Sequence, residues 1–206
     1  ETVVYTNPAL LPGQLAPITR IGAGELRVDR AIGLNVVAWN RKSKSAALSF
    51  GAVEVAKKTT FEQTLRVQNL SDVDKSFTIT PSFRYADDQA NGAVSVKAPA
   101  KVRVRARSHE DIDIKLVIDP ATLPAWTMNG GANGGNGAAF NGPEYDGYLV
   151  LSNGAEKLSV PWHVLPRKAG DNSAQLEEKR GQFSLRLDNK GNADSDFELF
   201  SLTGVS

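Results

Sequence analysis

The sequence predicts an all-β chain built around one antiparallel β-sandwich, with an irregular segment before it and part of a second β module after it. Three observations carry this prediction. From Ala46 to Pro166 the apolar residues recur with a period of two. The runs they form are separated by polar clusters such as "SDVDK" (71–75) and "DDQANG" (87–92). A polar stretch after Gly170 then leads into a second copy of an earlier run.

Taken in order, residues 1–20 are rich in Pro, Asn and Leu without a clear period and read as extended loop. In "GAGELRVDRAIGL" (22–34), Gly22 and Gly24 permit a tight turn, and Glu25 to Ile32 fit a short helix stopped by Gly33. The stretch from Ala46 to Val55 alternates weakly. In "FEQTLRVQN" (61–69), Phe61, Leu65 and Val67 share one face and Glu62, Thr64, Arg66 and Gln68 the other. "SFTITPSF" (76–83) puts Phe77, Ile79 and Phe83 on one face.

"AKVRVRARSHEDIDIKLVID" (100–119) has the strongest alternation. A loop at Ser108–Glu110 would set Arg107 against Asp111, Arg105 against Asp113, Val104 against Ile114 and Val102 against Leu116. Charges and apolar groups both match in that register, so a hairpin is expected. Residues 120–143 interrupt the pattern, and "MNGGANGGNGAAFNG" within them is too rich in Gly and Asn to hold a core, so 127–143 is expected to be a long surface loop. "YDGYLVLSNG" and "KLSVPWHVLP" form a last hairpin about the turn "SNGAE", and Pro161 suggests an edge strand or a bulge. About seven strands without intervening helix point to a sandwich of immunoglobulin or fibronectin type III kind.

Past Gly170, "DNSAQLEEKRG" reads as linker. Leu185, Leu187, Asn189 and Phe197 then repeat Leu65, Val67, Asn69 and Phe77, each 120 residues later. The domain reading is therefore 1–40 for a closing segment or linker, 41–170 for the sandwich, and 171–206 for a linker and the first hairpin of a second sandwich.

Composition narrows function. Of 206 residues 41% are hydrophobic, enough for a globular core, and 24 basic against 23 acidic residues leave a net charge of +1. No nucleic-acid footprint follows from that balance, and no apolar run approaches the ~18 residues of a membrane span. Without cysteine, disulfides, thiol catalysis and cysteine-ligated metal are excluded. Glu1 is not an initiator Met and no signal-peptide pattern opens the chain, so it reads as a mature product or an excised part.

Candidate chemistry is sparse. His163 falls on the outward side of a strand whose Val160, Trp162 and Val164 face the core, with Ser159 and Leu165 beside it, and reads as an exposed strand residue. His109, beside Glu110, reads as a turn residue. The stripe Lys101, Arg103, Arg105 and Arg107 could hold an acidic partner, but a solvated face neutralised by Asp111 and Asp113 is the favoured reading. "DNKGNADSD" (188–196) lacks the spacing of a calcium loop. Asn69-Leu70-Ser71 matches a glycosylation sequon. Gly22-Ala23-Gly24 is too short for a phosphate loop. No catalytic, cofactor-binding or metal-binding residue is assigned, and no cofactor is expected.

Three segments carry a resemblance. "APITRIGAGELRVDRAI" (16–32) resembles the segment that closes the catalytic domain of large secreted subtilisin-like serine proteases. "YDGYLVLSNGAEKLSVPWHVLP" (145–166), together with "TLRVQNLSDVDKSFTIT" (64–80), resembles the fibronectin type III-like domain that follows it in those enzymes. The family's three catalytic motifs are missing from this chain. The resemblance implies a serine endopeptidase as the parent protein, a secreted or cell-envelope location, and a non-enzymatic accessory role. Its partners would be the catalytic domain of the same polypeptide and protein substrates. A stand-alone extracellular adhesion or ligand-binding module is the alternative. A polysaccharide-binding sandwich using Trp39, Trp126 and Tyr145 is a third reading. Unpaired pieces at both ends also suggest weak self-association.

Overall fold

The structure is a computed structural model describing residues 17–24, 28–124 and 144–194. The elements run α1 (Ile18–Ile21), α2 (Val28–Ile32), β1 (Val36–Asn40), β2 (Leu48–Val55), β3 (Thr59–Asn69), β4 (Lys75–Phe83), α3 (Ala86–Asn91), β5 (Val94–Lys97), β6 (Lys101–Val104), β7 (His109–Ile118), β8 (Tyr145–Ser152), β9 (Lys157–Lys168), β10 (Asn172–Lys179) and β11 (Gln182–Asn189). Strands β1-β3-β7-β5 form one sheet, β2-β9-β8-β4-β6 the facing sheet, and β10-β11 a separate hairpin. The all-β, immunoglobulin-like sandwich expected from the sequence is what forms.

The period of two does what it predicts. Leu65 and Val67 of β3, Phe77 and Ile79 of β4, Ile112, Ile114 and Leu116 of β7, and Val160, Trp162 and Val164 of β9 all point between the sheets and are buried in one core. The last hairpin forms as expected, with Leu151 facing Leu158 and Tyr145 facing Val164.

The expected hairpin across residues 101–117 does not form. β6 pairs β4, with Val102 opposite Phe77, whereas β7 pairs β3 and β5 in the other sheet. The connection 105–108 arches between the sheets, with Arg107 at φ +53. The charges that made the hairpin attractive are satisfied elsewhere. Arg66 makes a fork with Asp111, at 2.7 and 2.8 Å, Arg107 makes one with Asp72, at 2.6 and 3.0 Å, and Arg103 reaches Asp74 at 2.9 Å. Alternation specifies which side of a strand is apolar, and two strands facing each other across a core satisfy it as well as two side by side.

Other elements also depart from the sequence reading. β1, β5 and β10 are additional strands, the last where a linker was expected, α1 lies where loop was expected, and "DDQANG" is the short helix α3 closed by Gly92 at φ +68. α2 occupies part of the expected helix. Pro161 is not on an edge strand: β9 lies between β8 and β2. Its missing N–H is tolerated because pairing with β2 begins one residue later, at Trp162. That β2–β9 pairing is parallel, and it places the first strand region in both sheets: β1 pairs β3, then β2 crosses to β9. The crossing is held by Asn40 Oδ1, which accepts the Lys42 and Ser43 amides at 2.9 Å each, and by Gln63, which accepts from Asn40 and donates to the Ser49 carbonyl. The expected loop 127–143 lies outside the described residues.

Candidate functional site

The most unusual chemistry lies on the outer side of the five-stranded sheet. Along β8 and β9, Tyr145 faces Val164 and Gly147 faces Trp162 on the core side, so Asp146 and His163 are paired on the outer side. Outer residues of such a sheet normally meet water. Here α1 lies against β9, and Asp146 is fully buried while His163 is half-buried. The expectation that His163 faces solvent is corrected accordingly. The covering segment is joined by two hydrogen bonds: the Ile18 amide donates to Asp146 Oδ2 at 2.6 Å, and the Thr19 hydroxyl donates to Glu144 Oε2 at 2.7 Å. A carboxylate accepting a backbone amide in a dry place is among the stronger hydrogen bonds a chain makes.

Helix α3 brings a third carboxyl group to the same region. Asp88 is buried, and the nearby Asn91 side chain donates to the Tyr145 hydroxyl at 2.8 Å. Asp88 Oδ2, Glu144 Oε1, Asp146 Oδ1 and His163 Nδ1 are buried without hydrogen-bond partners among the described residues. Burial, with Asp87, Asp146 and Glu144 close by, pushes the Asp88 carboxyl up to about 7. Burial pushes Asp146 up to about 6, with Glu144 adding to the rise while the Ile18 amide and Arg84 oppose it. Burial raises the Tyr145 hydroxyl to about 12, and it holds His163 below its ordinary value against the opposing pull of Glu144.

Ser49, His163 and Asp146 stand in one row across β2, β9 and β8. They are not linked as a nucleophile, base and orienting acid. Asp146 gives Oδ2 to Ile18, and His163 Nδ1 has no partner among the described residues. What the arrangement does chemically is hold a preceding segment to the sandwich through the buried carboxyl groups of Asp146 and Glu144.

Asp88 and Asp146 keep their protons to higher pH in the folded chain than in the unfolded one, so ionising them opposes folding. Their contribution is complete below the ordinary carboxylate value of about 4 and is lost as pH rises through about 6 and about 7. His163 works the other way, but below about 6.5, and the carboxylates held low by Arg and Lys partners (Asp72, Asp111, Glu156) matter near 4 and below. The melting temperature should therefore rise as pH falls from 8 to 6.5. Asp88→Asn should raise stability at pH 8 and flatten that rise. An unchanged slope in the variant, measured by thermal denaturation, would refute the assignment.

His109 is exposed at the start of β7. Lys101 and Arg103 stand outward on the edge strand β6, beside an open groove of about 620 Å³ that includes Arg105, His109 and Glu110. Within the stripe, Arg103 pairs with Asp74 and Arg107 with Asp72, not with Asp111 and Asp113. Tyr145 is fully buried, which removes it from any sugar-binding surface, and Trp39 is half-buried. Trp126 lies outside the described residues. Asn69 is fully buried, so its sequon is not presented in the folded chain. Among the described residues, no group of three or more His, Asp or Glu side chains is placed to hold a metal ion. Among them too, no helix is long and apolar enough to cross a membrane.

Sequence reasoning missed Glu144, Asp146 and Asp88. Their positions carry one weak signal, two acids at outward parity at the start of an apolar strand. Only the docking of Ile18, 128 residues away, turns them into a site.

No protein-family model matches the chain, and no curated protein matches it. Solved structures do. A FixG-related protein from Vibrio parahaemolyticus is similar at 11% identity, over 64% of this chain and 94% of that one, with a TM-score of 0.38. The CooA pilin subunit of enterotoxigenic Escherichia coli is similar at 10% identity, over 65% and 98%, with a TM-score of 0.38. The PapD-like domain 7 of human CEP192 is similar at 11% identity, over 65% and 84%, with a TM-score of 0.33.

Proposed function

We propose that this chain is a non-catalytic accessory region of a secreted subtilisin-like serine protease, in which the sandwich braces the catalytic domain and helps position protein substrates. One observation carries the reading. Two of the segments that resemble such proteases, 16–32 and 145–166, are bonded to each other, through Ile18 to Asp146 and with Thr19 to Glu144 alongside. A brace must be fixed to what it supports, and a tether through buried carboxyl groups fixes the sandwich to the end of whatever precedes it. The residues before β1 are then the closing segment of that preceding domain, and the accessory sandwich begins at β1 (Val36–Asn40), earlier than the boundary at 41 read from the sequence.

The test is to join the region to its upstream catalytic part and then delete the sandwich from β1 onward, residues 36–170. Lower thermal stability, and a greater loss of cleavage of folded proteins than of short peptides, is the expected result. Unchanged stability together with unchanged protein cleavage would end the proposal.

A stand-alone extracellular adhesion or ligand-binding module is the second reading. The recurrence of one hairpin after the sandwich favours it, because arrays of sandwiches make stalks. Upstream sequence separates the two: the catalytic motifs of a protease support the first, and further sandwich repeats support the second.

A further inference from the structure

β10 and β11 pair over their whole length around a tight turn at Arg180 and Gly181, which have φ of +55 and +75. Cross-strand partners share a face, so Ala174, Leu176, Leu185, Leu187 and Phe183 line one side of this hairpin. That side is bare: Leu176 is 69% exposed and Phe183 68%, whereas Leu65 and Val67, the counterparts of Leu185 and Leu187, are at 0%.

The likeness to β1–β3 extends to individual hydrogen bonds. Asn69 closes β3 by accepting the Ser71 amide at 3.0 Å and donating to the Val73 carbonyl at 2.8 Å. Asn189 closes β11 by accepting the Gly191 amide at 2.8 Å and donating to the Ala193 carbonyl at 2.7 Å. The residue after each asparagine donates back to the partner strand, Leu70 to Asn35 at 2.7 Å and Lys190 to Asp171 at 2.9 Å. In the sandwich this turn aims the chain into β4, whose Phe77 and Ile79 cover Leu65 and Val67 from the opposite sheet. Residues 120 positions later are Phe197 and Leu199.

We propose that β10–β11 is the opening hairpin of a second sandwich, and that its apolar face is the seat of residues 196–200 of this same chain. Phe197 and Leu199 take the roles of Phe77 and Ile79. Residues 195–206 lie outside the described residues. The alternation of Phe197 and Leu199 in the sequence matches the face that needs covering. A two-stranded ribbon is marginal in water, and a third strand with an apolar side is what such a ribbon requires. The turn itself is seated on the first sandwich. The Asn192 amide donates to the Ala169 carbonyl at 3.1 Å, and a Cβ at Gly191 would fall 2.3 Å from that same oxygen. The second module therefore starts at a close-packed junction.

The test uses the whole chain. Phe197→Ser with Leu199→Ser should speed amide exchange of residues 183–188 by about tenfold and leave β3 unchanged. Nuclear Overhauser contacts should join the Phe197 ring to the methyl groups of Leu185 and Leu187 within one molecule. Unchanged exchange in the double variant would overturn the proposal. So would contacts that appear only between differently labelled copies, which would make a second chain the occupant.

Discussion

Gly147→Ala is expected to destabilise the sandwich by about 3 kcal/mol, the upper part of the range for overpacking a filled core. A Cβ at this position would lie 1.9 Å from the Ser82 carbonyl oxygen and 2.9 Å from both Ser82 C and Trp162 Cζ2. Two of these atoms are backbone of the neighbouring strand β4, so no side chain can turn aside to make room. The bare position is what lets Trp162 work. Gly147 is its cross-strand partner, and the indole reaches past it to donate from Nε1 to the Ser82 carbonyl at 3.2 Å. The same ring meets Phe83 edge-on, with centroids 5.1 Å apart and planes at 87°. Urea denaturation measures the effect. A fall in midpoint without a change in slope is expected, and a difference below about 0.5 kcal/mol would show that β8 and β4 separate easily.

That glycine also marks how far the sequence could be read. Trp162 was identified as a core anchor from parity alone, since Val160 and Val164 flank it at the same period, and all three are buried. Gly147 gave no sign of its importance, because the need for a missing Cβ is set by Ser82 and Trp162, which are remote in the chain. The same limit explains the misread hairpin at 101–117. Its charges and apolar residues agree with a side-by-side pairing, and they agree equally with strands in opposite sheets once Asp72, Asp74 and Arg66 supply the partners. Local pattern determines the face of a strand. Neighbours are chosen by chain connectivity and by turns, and the arch at 105–108 has no strong turn signature in its residues.

The acidic seam lies beyond local pattern altogether. Parity places Asp146 and His163 on the outer side correctly, and outer normally means wet. Burial arises because α1 covers that spot, in a segment whose Pro-rich neighbourhood suggested loop. The site is thus a product of one long-range contact, and its proton affinity follows from burial at that contact, not from the residue types in sequence.

Asn69→Ala should be nearly as damaging as the glycine change, costing about 3 kcal/mol, whereas Asn189→Ala should shift global unfolding by less than about 0.5 kcal/mol. Both asparagines make the same turn, so the contrast isolates what burial adds. Asn69 is fully buried, and besides closing its turn it donates to the Val104 and Arg105 carbonyls at 3.2 Å each, tying β3 to the arch between the sheets. Its removal strands the buried Val104 carbonyl and takes the partner from the part-buried Val73 and Arg105 carbonyls and Ser71 amide. Asn189 is exposed, and the groups it leaves behind can bond to water. Asn69→Asp sharpens the comparison. It keeps the acceptor for Ser71 but turns an anion toward three carbonyl oxygens, so at pH 8 it should be at least as destabilising as alanine. Equal effects at positions 69 and 189 would mean that turn closure alone matters, and that the ties to the arch contribute little to holding the two sheets together.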